Sequence, residues 1–317
     1  MYKKNKKIID LVDGEEVRDI FVVKFKKPIQ KYTNGYRFDL RIGDSSREIM
    51  LKYWGSDNLE EVQKLYDTID KDSVIYVEGV ARIYRNQLEI NATIIKPLSN
   101  DEYDPEAFIE KSPRSRDELL QELKEFVGMI RDEKLRLLVE ELLLSDSEIA
   151  KRFTEWPAAL YKHHNYKHGL LEHSLNVAKI ALNVADIHGL DSDLIIVGSL
   201  LHDIGKIYEF EMTNNIRHTR LGQLVGHVTL GAEIVSRAMD KLDIDENIKL
   251  KILHIVLSHH GSLEYGSPKE PMFPEALAVY LADLMDSQIF QMRKKKLEAM
   301  TEDDFLYTKD FGNIYLR

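Results

Sequence analysis

Between Val17 and Leu98, apolar and polar positions alternate in short runs. The segments VRDIFVVKFKKPIQ (17–30), YRFDLRIGD (36–44), REIMLKYWG (47–55), SVIYVEGVARIYRNQ (73–87) and LEINATIIKPL (88–98) are rich in Val, Ile, Tyr and Phe. A period of two, as in Phe38-Leu40-Ile42 and Leu88-Ile90-Ala92, marks a strand with one buried face. Turn-forming groups separate the runs: Thr33-Asn34-Gly35, Gly43-Asp44-Ser45-Ser46 and Arg85-Asn86-Gln87. A helical stretch, Asn58–Ile69, interrupts them after the third. Past residue 98 the period changes. A polar stretch, SNDEYDPEAFIEKSPR (99–114), leads to Ser115 and Glu118, the two partners of a capping box before LLQELKEFVGMI. DEKLRLLVEELLLSD follows, and from Trp156 the pattern stays helical, with no strand signal as far as Leu316.

Five strands with a helix between the third and fourth is the order of an OB-fold barrel. The expected fold class is therefore multidomain. An N-terminal all-β OB-fold barrel spans residues 1–98, a helical connector 99–155, and an all-α helical bundle 156–317. Composition narrows the chemistry. The 317 residues include no cysteine, which excludes disulfides, zinc-thiolate sites and thiol nucleophiles. No window approaches the roughly 18 apolar residues of a membrane span, and MYKKNKKIIDLVDGEE lacks the apolar core of a signal peptide. A cytoplasmic protein that engages no membrane is expected. The net charge of −10 divides into +2 over residues 1–100 and −12 over 101–317. The first part can face a polyanion without self-repulsion and the second suits the gathering of divalent cations, although scatter between two domains gives the same figures.

The histidines all lie between 163 and 260. GLLEHSLNVAKIALNVADIHG reads as a helix ended by Gly189, with His173, Val177, Ile180 and Val184 on one inward face. SDLIIVGSLLHDIGK reads as an apolar helix capped by Asp191, Ser192 or Asp193, with His202 and Asp203 in its last turn. Gly198 and Ser199, one turn earlier, allow another helix to approach. A buried His beside a buried Asp is costly unless something pairs with them, and a divalent cation is the simplest partner. GQLVGHVTLGAEIVSRAMDKL, read as one helix, offers His227. LKILHIVLSHHG offers His259 and His260, and PEALAVYLADLMDSQ offers Asp283. Imidazole with carboxylate and no thiolate suits Mn²⁺, Fe²⁺, Co²⁺ or Zn²⁺, and Mg²⁺ less well. His163 and His164 are placed at the site mouth, His254 in the core, and His188 and His218 at surface or cap positions.

The spacing His173, His202-Asp203, Asp283 resembles the H…HD…D signature of HD-superfamily phosphohydrolases. The further His227 and His259-His260 resemble the variants that hold two metals. The longer segments HHNYKHGLLEHSLNVA, LLHDIGKIYEF, GHVTLGAEIV, LSHHGSLEYGSPKEPMFPEA and LADLMDSQ resemble the YhaM-type 3′→5′ exoribonucleases, which place an OB-fold before an HD domain. The resemblance implies metal-dependent removal of nucleotides from the 3′ end of single-stranded RNA, and of single-stranded DNA as a second substrate, with Mn²⁺ the usual activator. It implies one ion held by His173, His202, Asp203 and Asp283, and a second held by His227, His259 and His260 with Asp203 between them. The catalytic candidates are Asp203, Lys206 and His227. Lys206 either stabilises the phosphate or satisfies a helix C-terminus. OB-folds bind single strands by stacking bases on aromatics and tracking phosphates with cations. The candidates for that are Tyr36, Arg37, Trp54, Tyr84 and Arg85, then Tyr32, Tyr53, Lys24, Lys26, Lys31 and Arg82, with Phe38 assigned to the core. Two other functions fit the same motifs: an HD nucleotidase or cyclic-dinucleotide phosphodiesterase, and a non-catalytic OB-fold adaptor. A homo-oligomer is compatible with all three.

Overall fold

The computed structural model describes every residue except Asn86, Tyr161, Lys162, Met300 and Glu302, together with all side chains of these described residues but that of Glu298. The turn expected at Arg85-Asn86-Gln87 thus lies partly outside the described residues. The chain divides into two compact units: 1–110 with 212–215, and 111–211 with 216–317.

The first unit is an all-β barrel. Its strands are β1 (Glu16–Lys26), β2 (Gln30–Tyr32), β3 (Gly35–Gly43), β4 (Glu48–Trp54), β5 (Val74–Tyr84) and β6 (Gln87–Leu98), with helix α1 (Leu59–Asp67) between β4 and β5. They pair in the order β1-β5-β6-β4-β3-β2, and a further β1–β3 pairing closes the sheet on itself. β4 and β6 run parallel, and the other neighbours run antiparallel. This is the five-stranded OB-type barrel expected, with β2 as a short extension. The alternation read in the sequence sets its inside: Phe38, Leu40, Ile42, Leu51, Ile75, Val77, Ala81 and Ile90 form one buried cluster. The register of β5 on β6 slips between Glu78 and Gly79. A Cβ at Gly79 would lie 2.3 Å from the Asn91 carbonyl oxygen, so only glycine fits that bulge. Asn58 caps α1, its side chain accepting from the amides of Glu60 and Glu61.

The second unit is helical. It contains α2 (Arg116–Met129), α3 (Glu133–Val139), α4 (Glu148–Glu155), α5 (Gly169–His188), α6 (Ser192–Leu201), α7 (Lys206–Glu209), α8 (Arg220–Val225), α9 (His227–Lys241), α10 (Glu246–Ser258) and α11 (Pro274–Glu298). The capping box at Ser115 and Glu118 forms. The stretch expected as a connector, 99–155, falls partly into each unit. Leu119, Leu123, Phe126, Leu135, Leu138 and Phe153 share one core with Leu170, Leu175, Leu200 and Val256, because their apolar faces need the same partners as the rest of the bundle.

Two sequence expectations give way. The helix expected over 222–242 is broken at Gly226, whose φ of +77° no helix accommodates, and His227 starts α9. The stretch after Trp156 is not purely helical. β7 (Phe210–Met212) pairs with β8 (Ile216–His218), and β9 (Phe305–Thr308) with β10 (Gly312–Tyr315). Strands of three or four residues are too short to show a period of two. Among the described residues, no helix is long and apolar enough to cross a membrane.

Candidate metal centre

Three helices, and the turns that follow two others, bring the sequence-selected residues together. His173 lies on α5 and Asp283 on α11. His202 and Asp203 follow α6, His227 begins α9, and His259 and His260 follow α10. Close helix contact makes this possible. A Cβ at Gly198 would stand 2.8 Å from Ile255 of α10, the near approach that the glycine was expected to permit.

Asp203 is at the centre. Its Oδ2 lies 3.3 Å from His202 Nε2 and 3.6 Å from His173 Nε2. Its Oδ1 lies 3.4 Å from His259 Nε2 and 3.5 Å from His227 Nε2. Asp283 Oδ1 sits 3.1 Å from His173 Nε2, and His260 Nε2 is 3.2 Å from His227 Nε2. Two clusters result, one of His173, His202 and Asp283, the other of His227, His259 and His260. Each faces one oxygen of the same carboxylate.

The other ring nitrogens explain why these atoms point inward. His202 Nδ1 donates to the Ser199 carbonyl at 2.8 Å, His259 Nδ1 to Val256 at 2.7 Å, and His260 Nδ1 to Tyr265 at 3.0 Å. A carbonyl oxygen only accepts, so each Nδ1 carries the proton and each Nε2 presents a lone pair. Carboxylates hold the remaining two: Glu209 lies 2.8 Å from His227 Nδ1 and Asp286 2.7 Å from His173 Nδ1. The Nε2 atoms of His202 and His259, and Asp203 Oδ1, are buried with no hydrogen-bond partner among the described residues. The Nε2 lone pairs of His202 and His259 face the Asp203 carboxylate and repel it in a dry interior, while His173 takes up a second proton between Asp283 and Asp286 that a cation would displace. This donor set fits divalent cations, whose charge would turn each of those repulsions into a bond.

The protonation states agree. Burial opposes ionisation of Asp203, but the Lys206 ammonium beside it holds its carboxyl well below the usual range. Burial lowers His259, and burial with the neighbouring His259 and His227 rings lowers His260 to about 3. Both rings are neutral at ordinary pH. Lys206 Nζ lies 2.5 Å from Asp203 Oδ2, so its contact is with the central carboxylate and not with helix-end carbonyls.

Several residues carry this arrangement without any sequence signal having selected them. Asp286 accepts from His173, from Asn176 at 3.0 Å, and from His164 Nε2 at 2.9 Å. Its position three residues after Asp283, on one helix face, was the available clue. Glu209 has no such clue, since the bend that carries it toward His227 is tertiary. His164 corrects its placement at the mouth: it is only 2% exposed, behind His173, with Nδ1 2.7 Å from the Tyr166 hydroxyl. His163 packs against the His173 ring, centroids 5.0 Å apart, with both nitrogens buried and without a hydrogen-bond partner among the described residues. His254 lies half-buried against Phe273 and accepts from the Met272 amide, while His188 is exposed at the end of α5. His218 is half-buried and stacks on Phe210, an intermediate position for a residue expected at the surface. His173, His202, Asp203 and His259 are buried, whereas Asp283 of the first cluster and His227 and His260 of the second are partly exposed, so each cluster has a member turned toward solvent.

On the barrel, Arg37, Lys52, Trp54 and Asn91 occupy outward positions of β3, β4 and β6, fixed by the pairs Arg37 with Trp54 and Lys52 with Asn91. Trp54 is 43% exposed. Its Nε1 donates to Asn91 at 2.9 Å, and the Arg37 guanidinium lies 5.0 Å from the ring centre. Tyr32 meets Trp54 edge-on. Tyr84, 52% exposed, carries Lys52 at 4.6 Å and Arg85 at 5.3 Å. Tyr36 and Tyr53 pack against the barrel core instead, and Phe38 is buried in it. Lys24 and Lys26 are engaged by Asn215 and the Tyr66 carbonyl.

Residues 170–288 match the HD domain family, and residues 105–196 match the TraI_2 helicase family; neither spans half the chain. Among solved structures, the HD domain of the phosphodiesterase PgpH from L. monocytogenes is 17% identical. It aligns over 52% of this chain and 80% of that one, at a TM-score of 0.30. A replication protein A heterotrimer bound to ssDNA is 16% identical, over 28% of this chain and 61% of that one, at 0.21. The S. pombe Stn1–ten1 complex is 16% identical, over 27% and 60%, at 0.22. The chain therefore spans less than two-thirds of the length of these last two. An OB-type barrel precedes a helical HD domain, a domain type that binds divalent metals and indicates a metal-dependent phosphohydrolase.

Proposed function

We propose that the chain is a 3′→5′ exonuclease of single-stranded RNA, and of single-stranded DNA as a second substrate, that releases nucleoside 5′-monophosphates. The observation that carries the hydrolytic part is the shared carboxylate: Asp203 turns one oxygen to each of two imidazole clusters whose Nε2 lone pairs converge on it. His173, His202, Asp203 and Asp283 would hold one divalent cation, and His227, His259, His260 and Asp203 a second; the donor set suits Mn²⁺, Fe²⁺, Co²⁺ or Zn²⁺, and the motif resemblance puts Mn²⁺ first. Bound there, such ions supply charge against the developing negative charge on phosphate oxygens, and acidify water.

The chain's own residues do the rest. Lys206 keeps Asp203 ionised. Asp286 and Glu209 fix the tilt and tautomer of His173 and His227. The partly exposed His227, His260 and Asp283 are the members of the two clusters that a phosphodiester can reach from solvent. Attack by water on the terminal phosphorus, with departure of the 3′-oxygen of the penultimate residue, leaves the phosphate on the 5′ carbon of the released unit. The direction of digestion rests on the motif resemblance. The exposed Trp54 and Tyr84, each with a cation over its ring, supply a sequence-tolerant stacking face on the barrel.

The test is digestion of 5′-labelled single- and double-stranded RNA and DNA with Mn²⁺, Mg²⁺ or EDTA, with chromatography of the products. A ladder shortening from the 3′ end, 5′-monophosphates as product, and silence in EDTA or in Asp203→Asn are expected. Internal cuts or cyclic phosphates would overturn the exonuclease reading. Turnover of cyclic dinucleotides or mononucleotides alone would favour the small-substrate phosphodiesterase.

A further inference from the structure

Single exposed apolar side chains are ordinary on a protein surface. Their occurrence next in the chain to both partly exposed histidines of one cluster is not. The second cluster reaches solvent past His227 and His260, and both are flanked by exposed apolar residues. Leu224 (76% exposed) and Val225 (41%) end α8, immediately before Gly226 and His227. Leu263 (67%) and Tyr265 (68%) stand on the short turn after His260.

That turn is built rigidly. The Tyr265 amide donates to the Ser262 carbonyl at 3.1 Å, the Gly266 amide to Leu263 at 3.0 Å, and the Ser267 amide to Ser262 at 3.1 Å. The Ser267 hydroxyl anchors it to the Leu257 and Lys269 carbonyls. Its entrance is fixed by Gly261, where φ is +80° and a Cβ would strike the Tyr280 ring at 2.2 Å. Tyr265 therefore joins two functions at one residue. Its main-chain carbonyl accepts from His260 Nδ1 and sets that ring's tautomer. Its side chain is exposed to water on the turn that holds the same histidine. A solvent-exposed ring on a turn held by its own backbone, close in the chain to a phosphate-handling site, can serve as a platform for a planar group attached to that phosphate, and stacking on it accepts any base.

We propose that Tyr265 stacks on the base of the nucleotide being removed, with Leu224, Val225 and Leu263 as further apolar surface around that base. This rests on the nuclease reading and names the part of the substrate bound at the second cluster. Substituting the side chain leaves the carbonyl, and so the His260 hydrogen bond, in place.

The experiment is calorimetric binding of AMP and of ribose 5-phosphate to the Mn²⁺-loaded full chain, wild type, Tyr265→Ala and Tyr265→Phe, with metal content measured for each. Wild type should bind AMP about tenfold more tightly than ribose 5-phosphate. Tyr265→Ala should lose that advantage while binding ribose 5-phosphate as wild type does and keeping its metal, and Tyr265→Phe should regain it. In cleavage, KM for a normal 3′ end should rise about tenfold in Tyr265→Ala with kcat little changed, and KM for an abasic 3′ end should not move. Equal affinity of wild type for the two ligands, or equal losses on both in Tyr265→Ala, overturns the proposal. Tyr265-dependent AMP binding by a protein that cuts no oligonucleotide would leave the stacking standing and remove the nuclease reading instead.

Discussion

Asp286 holds three partners, and its loss should be felt through one of them. Without it His173 Nδ1 has no acceptor and the ring is free to turn. Asp286→Ala is expected to weaken metal binding about 10- to 100-fold, with most of kcat recovered at saturating Mn²⁺. A metal titration of activity checks this, and kcat lost at all metal concentrations would refute it. His173 also makes metal uptake depend on pH. Burial alone would lower its pKa, but Asp283 and Asp286 outweigh burial and raise it to about 9 in protein freed of cations. A protonated ring cannot ligate, so uptake must expel that proton. Apparent affinity should rise with pH up to about 9 and level off above it. Without cations the sign for stability is opposite: the stabilisation from His173 is complete below its ordinary value of about 6.5 and is lost as pH rises through 9. Competition with a metal-binding dye at a series of pH values, with release of a proton followed alongside, measures the effect. At this scale the residues that converge on Asp203 were legible because each stands on or directly beside an apolar helix, with a glycine nearby. Asp286, Glu209 and the Tyr265 carbonyl were not, because residues that orient a ligand are defined only by what the fold brings behind it.

Gly205 decides how closely α9 can approach the turn that carries His202 and Asp203. A Cβ there would stand 2.0 Å from the His227 carbonyl oxygen and 2.5 Å from the Gly231 amide, and backbone cannot yield as a flexible side chain would. Gly205→Ala should cost about 1–3 kcal/mol of stability and displace His227, so that the second cluster loses its metal before the first. Thermal unfolding and metal analysis check it, and an unchanged metal content with an unchanged melting point would show that α9 tolerates the shift. The element pattern was largely readable: five strands, the helix after the third, the capping box, and the helices bearing the ligands. What escaped were the break at Gly226 and the two hairpins. A single positive φ leaves no mark in a hydrophobic pattern that continues on both sides of it, and four-residue strands leave none either.

The barrel face and the metal centre belong to different units and should fail separately. Replacing Trp54 and Tyr84 together by alanine removes two stacking surfaces and should weaken binding of a long single strand at least about tenfold, with metal content and cleavage of a dinucleotide unchanged. Binding of the wild type should also fall as salt rises, since contacts with phosphates release counterions. Equal loss on long and short substrates would contradict this division. The separate cores have a consequence for how the molecule melts. The interior built on Phe38, Leu40 and Ile90 shares no member with the one built on Leu119, Leu175 and Leu200, so unfolding is not bound to be a single all-or-none event. A scanning calorimeter should record two endotherms, and a chelator should move one of them while the other stays at its temperature. Each half of the chain then carries its own heat signature, by which a ligand of unknown site can be assigned to the half it touches.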